Sequence, residues 1–232
     1  TAEHLFHCHP SAILLITYLC NLMILSGYVP SQFGLGLTTP IPKGVVGQKS
    51  LSFDDFRGIT VSPVISKIFE KCLLVKFKKY FVSSDNQFGF KKGFGCADAI
   101  YCFRSIVDHY VNHGSNVYVC SLDVSKAFDK LNHFALLLKL MDRLLPVNII
   151  TLLLNWYCKS FAMVNWFGSI SCKYSLRAGV RQGGVLSPIL FSVYTDSVIA
   201  ALQCQRLGCH IGFLCLSILM YADDLVLVAS SV

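Results

Sequence analysis

Apolar and polar positions alternate along the chain in segments that predict a mixture of helices and strands. The most apolar stretch, residues 12–25, contains Thr17 and Asn21. It is also shorter than the ~20 apolar residues that a membrane span needs. The pair Ser26-Gly27 and the nearby Pro30 favour a helix end at that point. We therefore expect a core helix over this stretch and no membrane partner.

The rest of the pattern predicts an alternation of further elements. Short apolar runs bounded by polar turns indicate strands, and apolar positions at helical spacing indicate helices. We expect helices over 64–81, 97–113, 133–141, 147–157 and 187–203, and strands over 35–43, 117–122, 161–167 and 173–180, with a final hairpin from 214–220 and 225–229. This order is typical of an α+β fold with antiparallel strand pairs.

Composition narrows the class of protein. The chain has 20 Lys and Arg against 13 Asp and Glu, so its net charge of +7 favours a nucleic-acid partner. Charged residues make up only 14%, against a typical ~25%, so we expect that part of the apolar surface is normally covered. The 11 cysteines include no Cys-x-x-Cys pair, which favours a reducing, intracellular compartment and thiols that lie mostly in the core.

Three carboxylates are the strongest candidates for chemistry. Asp223 and Asp224 lie between the two apolar runs of the final hairpin, and Asp123 ends the predicted strand 117–122. If these strands are neighbours, the three acids converge, and such a cluster of like charges is costly without cations. Mg²⁺ prefers oxygen ligands, and two such ions can clamp the attacking and leaving oxygens of a phosphoryl transfer. The pattern thus predicts nucleotidyl transfer.

Several short motifs appear in an order that resembles the reverse transcriptase domain of a non-LTR (LINE-type) retrotransposon. They are TPIPKG (39–44), DFRGITVSP (55–63) with SKIFEK (66–71), NQFGFKKG (86–93), LDVSKAFD (122–129), GVRQGGVLSP (179–188) and YADD (221–224). The resemblance covers nearly the whole chain. It implies an RNA-directed DNA polymerase with the fingers and palm of a right-hand polymerase, in which helices flank an antiparallel palm sheet.

The resemblance also implies roles for individual residues. Asp123 and Asp223 match the family's principal metal ligands, and Asp224 matches the supporting acid. The implied cofactors are two Mg²⁺ ions, with Mn²⁺ as an alternative. Phe128 matches the aromatic residue that excludes a 2′-hydroxyl. Residues that match nucleotide-binding positions are Gln182 in a Gly-rich turn and the basic Arg57 and Lys43.

On the same basis we expect a helical lead-in over residues 1–29, fingers over 30–115 and a palm over 116–232 that stops before the thumb. The implied partners are an RNA template, a DNA primer and dNTPs, with thumb and endonuclease regions in the full-length protein. The implied location is intracellular, in the nucleus and cytoplasm.

Other interpretations remain open at this point. A catalytically inactive transposon remnant would at most bind nucleic acid, and the three acids alone do not establish activity. An RNA-dependent RNA polymerase shares the paired acids, although Phe128 disfavours it. A membrane or structural protein is the most distant alternative.

Overall fold

The computed structural model describes residues 2–43, 52–205, 207–212 and 214–230. The chain forms two compact units that interleave along the sequence. Unit 1 comprises Thr1–Tyr80 and Phe128–Ser187, and unit 2 comprises Phe81–Ala127 and Pro188–Val232.

The element order confirms the α+β class. The helices are α1 (Ala2–Phe6), α2 (Pro10–Ser26), α3 (Val64–Lys76), α4 (Cys96–Asn112), α5 (Ala127–Lys130), α6 (His133–Asp142), α7 (Val147–Cys158) and α8 (Ser187–Cys204). The strands are β1 (Leu35–Pro42), β2 (Phe56–Val61), β3 (Val117–Asp123), β4 (Phe161–Trp166), β5 (Ser169–Ile170), β6 (Tyr174–Ser175), β7 (His210–Ile211), β8 (Leu214–Cys215), β9 (Ile218–Tyr221) and β10 (Asp224–Ser230).

Unit 1 is built on a mixed sheet. Its strand order is β2-β1-β4-β5, with β6 also pairing with β4; β1 runs antiparallel to β2 and parallel to β4. In the same unit, the rings of Phe33, Phe69 and Trp156 pack against one another at centroid distances of 5.7–6.3 Å. Aromatic pairs at such distances stabilise a core beyond the area that they bury.

Unit 2 is built on a smaller antiparallel sheet with the order β3-β10-β9. Ile106 from α4 packs with Cys209, Leu219 and Val228 in a buried apolar cluster. The segment 86–88 runs beside β9, where Gln87 forms a parallel bridge with Met220. The sheet therefore has an additional short strand-like neighbour on the β9 side.

The apolar stretch 12–25 forms α2, and Gly27 ends the helix in the left-handed conformation at φ 64°. The expectation of a core helix is wrong, however. Only Cys20, Met23 and Ile24 are buried, whereas Leu14 and Leu25 are 70% and 78% exposed. In the part of the chain that the structure describes, no helix is long and apolar enough to cross a membrane.

Three other expectations need correction. The predicted strand 173–180 is limited to β6, because its end turns toward α5: Gly179 N donates to Leu131 O at 2.7 Å, and Val180 N donates to Phe128 O at 2.8 Å. The pattern missed β2, which is defined by pairing with β1 and not by local alternation. The cysteines are not mostly core thiols, since Cys20 and Cys209 are buried but six others are exposed.

Candidate active site

The final hairpin presents the two adjacent acids at its tip. Strands β9 and β10 pair with Asp224 opposite Tyr221, which leaves Ala222 and Asp223 as a two-residue turn. Ala222 has a positive φ of 57°. Positive φ values are uncommon for residues other than glycine, and two-residue hairpins commonly use them.

Strand β3 brings the third acid to the same end of the sheet. The antiparallel register of β10 with β3 places Asp224 directly opposite Asp123. Like charges that lie directly opposite each other on neighbouring strands destabilise a sheet. The strand register thus pairs Asp123 with Asp224, for which the motif implied only a supporting role at the metal site. Asp223 lies in the adjoining turn.

The acids at this sheet end carry carboxylate oxygens, the type of ligand that a hard divalent cation prefers. Asp123 and Asp224 are exposed and Asp223 is half-buried, so their oxygens are accessible to an ion and to solvent. Within the described residues, no three His, Cys, Asp or Glu side chains are gathered as a group that could hold a metal. Mg²⁺ is usually held by one or two carboxylates together with substrate phosphates, which this arrangement permits. The metal-ligand roles of the three acids stay a prediction.

The predicted basic residues lie at one end of the β1–β2 pair in unit 1. Arg57 is exposed in β2 and lies opposite Ile41 of β1. Lys43 follows β1 directly and is also exposed; its backbone N–H donates to Asp55 O at 2.8 Å. Two exposed cationic side chains therefore lie at the same end of the β1–β2 pair.

Gln182 lies in a turn that is bonded to β2. Its carbonyl oxygen accepts a hydrogen bond from Thr60 N at 2.7 Å. The next residue, Gly183, has φ 115°, and a Cβ there would lie 2.6 Å from Thr60 O. Only glycine allows this approach of the two backbones, so the Gly-rich turn positions Gln182 beside the strand that carries Arg57.

A buried carboxylate holds the other end of this turn. Glu70 of α3 is 6% exposed, and its Oε2 accepts hydrogen bonds from Val185 N at 2.5 Å and Leu186 N at 2.7 Å. The pKa of Glu70 is raised above its usual value, and burial is the largest cause. The two hydrogen bonds and the positive charges of Arg181 and Lys67 offset part of this rise. Glu70 lies within the SKIFEK motif, but the sequence pattern predicted no role for it.

Phe128 is half-buried at the start of α5, and its carbonyl oxygen accepts the hydrogen bond from Val180 N. Val180 lies two residues before Gln182, so this hydrogen bond connects the backbone segments that carry the two predicted nucleotide-binding residues. His133 supports this region, since its Nε2 donates to Gly179 O at 2.7 Å. Burial lowers the pKa of His133, which favours the neutral ring.

The predicted site residues thus divide between the two units. Unit 1 carries Lys43, Arg57, Phe128 and Gln182, and unit 2 carries Asp123, Asp223 and Asp224. Neither the fingers and palm boundaries nor the assigned roles are tested by this division, and both stay predictions. Two further polar residues are buried, Glu70 in unit 1 and Gln87 in unit 2, and the motifs predicted no function for either.

Comparison with known proteins identifies relatives of this chain. A family model described as reverse transcriptase (RNA-dependent DNA polymerase) matches residues 41–232. The Pol polyprotein of the type-2 retrotransposable element R2DM from Drosophila melanogaster is 31% identical over 222 residues, which is 96% of this chain and 20% of the relative. A probable RNA-directed DNA polymerase from the transposon X-element of the same fly is 30% identical, over 81% of this chain and 21% of the relative.

The chain therefore spans about a fifth of the length of these relatives. Among solved structures, telomerase from Candida tropicalis in complex with a fragment of telomeric RNA is similar at a TM-score of 0.56 and 16% identity. The match covers 88% of this chain and 37% of the telomerase chain. At this identity the likeness establishes the fold alone.

Proposed function

The chain belongs to the reverse transcriptase (RNA-dependent DNA polymerase) family, and we propose that it is the polymerase core of a non-LTR retrotransposon protein. It would extend a DNA 3′-hydroxyl with dNTPs, copy an RNA template and release pyrophosphate. The observation that carries this proposal is the register of β3 with β10, which sets Asp123 opposite Asp224 beside the turn that contains Asp223.

The acids of unit 2 are the candidates for the chemical step. When two Mg²⁺ ions are bound, they supply charge stabilisation at the attacking and leaving oxygens of an in-line displacement. Asp123 and Asp223 would hold the ions, with Asp224 as the supporting carboxylate. Asp123 and Asp224 are exposed and Asp223 is half-buried, so substrate phosphates would reach an ion held by these carboxylates and complete its ligands.

The predicted residues of unit 1 are the candidates for nucleotide binding. Arg57 offers a rigid fork for phosphate oxygens and Lys43 a compact positive charge. The Phe128 ring would exclude a ribose 2′-hydroxyl on steric grounds, and Gln182 would orient the nucleotide. The hydrogen bond from Thr60 N to Gln182 O and the close approach of Gly183 to Thr60 support this role, since they place the backbone of Gln182 against β2.

A nucleic-acid partner is favoured by the net charge of +7 and by the relatives. Lys and Arg side chains that neutralise phosphates supply most non-specific affinity for nucleic acid. We therefore propose an RNA template and a DNA primer as the macromolecular partners.

Primer extension on an RNA template tests the proposal directly. The chain and its Asp223→Ala variant are compared with Mg²⁺ and either dNTPs or rNTPs, after circular dichroism has shown that both are folded. We expect extension with dNTPs that the substitution abolishes. A folded chain that extends no primer, or equal extension by the variant, would contradict the function proposed here, and a preference for rNTPs would indicate an RNA polymerase.

A further inference from the structure

One buried side chain from a distant part of the sequence holds the turn of the β9–β10 hairpin, which contains Ala222 and Asp223. Gln87 is fully buried, with 0% exposure. Its Oε1 accepts hydrogen bonds from Ala222 N at 3.1 Å and Gly89 N at 2.9 Å, and its Nε2 donates to Ala222 O at 3.2 Å. The carboxamide therefore satisfies both backbone polar groups of Ala222.

The residue that Gln87 contacts has the unusual backbone of the hairpin. Ala222 adopts φ 57° and directly precedes Asp223. Gly89 also lies against it, since a Cβ at Gly89 would clash with Ala222 N. The segment is anchored further by paired backbone bonds, from Phe88 N to Met220 O and from Met220 N to Asn86 O, each 2.8 Å.

We propose that Gln87 is a positioning residue, whose carboxamide fixes the left-handed backbone of Ala222 and thereby the direction in which Asp223 and Asp224 leave the hairpin. This inference rests on the proposed function, because it concerns the acids assigned to catalysis there. Gln87 itself would touch neither the nucleotide nor an ion. Its effect on catalysis would be exerted through Ala222.

The chemistry of the side chain explains why an amide is suited to this place. Ala222 presents a donor and an acceptor to the same buried point, and a carboxamide is a neutral group that offers both. An ionised glutamate could accept from Ala222 N but could not donate to Ala222 O. A buried charge without a partner of opposite charge would also be costly at this fully buried position.

Asn86 provides a matched control. Its side chain also forms three hydrogen bonds in unit 2: Nδ2 donates to Cys215 O and Ile218 O, and Oδ1 accepts from Gln203 Nε2. None of these contacts involves the turn. Asn86→Leu and Gln87→Met therefore remove the same number of side-chain hydrogen bonds from the same unit, and only the second removes those to Ala222.

The experiment combines residue-resolved amide hydrogen exchange with primer extension at varied Mg²⁺ concentration, on the wild type and both variants. In Gln87→Met we expect the Ala222 amide to exchange at least about fivefold faster, as the loss of a hydrogen bond implies. We expect the Mg²⁺ concentration for half-maximal extension to rise about 10–100-fold, the usual effect of losing a group that orients metal ligands. In Asn86→Leu both quantities should stay within about twofold of wild type.

Unchanged exchange at Ala222 in Gln87→Met would overturn the inference, because the side chain would then not hold the turn. Equal shifts of the Mg²⁺ midpoint in both variants would also overturn it, since the effect would reflect stability alone. If the wild-type chain extends no primer, the proposed function fails by itself. The hydrogen-exchange comparison still decides in that case whether Gln87 fixes Ala222.

Discussion

The two units hold their candidate site residues in different ways. In unit 2, Asp123 and Asp224 are fixed by the strand register of one small sheet, and Asp223 adjoins them in the hairpin turn. In unit 1, the four candidate nucleotide-binding residues are distributed over a strand, the residue after a strand, a short helix and a Gly-rich turn. Strand pairing holds side chains in place more precisely than a loop does, whereas a loop can adapt to a substrate.

The two turns also differ in the side chain that holds them. Gln87 is neutral and bonds to Ala222 in unit 2, whereas Glu70 is ionisable and accepts from Val185 and Leu186 in unit 1. The side chain that holds the hairpin turn in unit 2 therefore has no ionisable group, whereas the one that holds the turn after Gln182 in unit 1 is a carboxyl group that can be protonated. The comparison predicts that chemistry resides in unit 2 and substrate selection in unit 1.

Removal of a carboxylate from unit 2 should have the largest effect. We expect Asp123→Asn to lower kcat for primer extension by at least about 10³-fold, because a bound metal supplies several kcal/mol of transition-state stabilisation and each 1.4 kcal/mol is about tenfold. The matched control is Asp108→Asn, which alters an exposed acid of α4 that is paired with Arg104 and should leave kcat unchanged. Comparable rates for Asp123→Asn and wild type would break the assignment of chemistry to unit 2.

Substrate selection should respond to the aromatic residue of unit 1. In Phe128→Ala, the preference for dNTPs over rNTPs should fall about 10–100-fold, as expected when one steric contact in a pocket is removed. The ratio of kcat/KM for the two nucleotides measures this effect. Phe134→Ala, a change of an exposed ring in α6, serves as the control. If both variants keep the wild-type ratio, Phe128 does not select the sugar.

The phosphate contact should have a smaller effect that appears mainly in KM. We expect Arg57→Ala to raise the KM for dNTP about tenfold, because a hydrogen bond to a charged group contributes about 1.5 kcal/mol at an exposed site. Arg177→Ala removes another exposed cation of unit 1 and should leave KM unchanged. A fall in kcat without a change in KM would place Arg57 in the chemical step. It would contradict the prediction that only unit 2 carries the chemistry.

The smallest effect should be the pH dependence that Glu70 gives to unit 1. Because burial raises its pKa, Glu70 binds a proton more tightly in the folded than in the unfolded chain. Its contribution to the free energy of unfolding is thus fully present below the pKa of Glu70 in the unfolded chain and is lost as pH rises through the higher pKa in the folded chain. Denaturant titration measures the free energy of unfolding of wild type and of Glu70→Gln at each pH. As pH rises, we expect the stability of the wild type relative to the variant to fall by an amount on the order of 1 kcal/mol. A difference that is constant with pH would contradict the raised pKa.

Local pattern was sufficient for much of the fold. The apolar runs and turn residues located most helices within one or a few residues, and the boundaries of α4, α6, α7 and α8 lie close to those expected. The same pattern placed Asp223 in a hairpin turn. It failed at β2 and over 173–180, where hydrogen bonds to β1 and to the segment around α5 decide the backbone. Such partners lie outside the window in which periodicity is read.

The sequence by itself determined the family, the α+β class and the three acids with their strand and turn positions. Only the tertiary structure decided that Asp224 lies opposite Asp123, and that Gln87 and Glu70 hold the two turns. The bonded residues are separated by 135 positions for Gln87 and Ala222 and by 115 for Glu70 and Val185. A local sequence pattern reports propensity and burial, whereas a hydrogen bond between distant segments depends on how the packed core brings their backbones together.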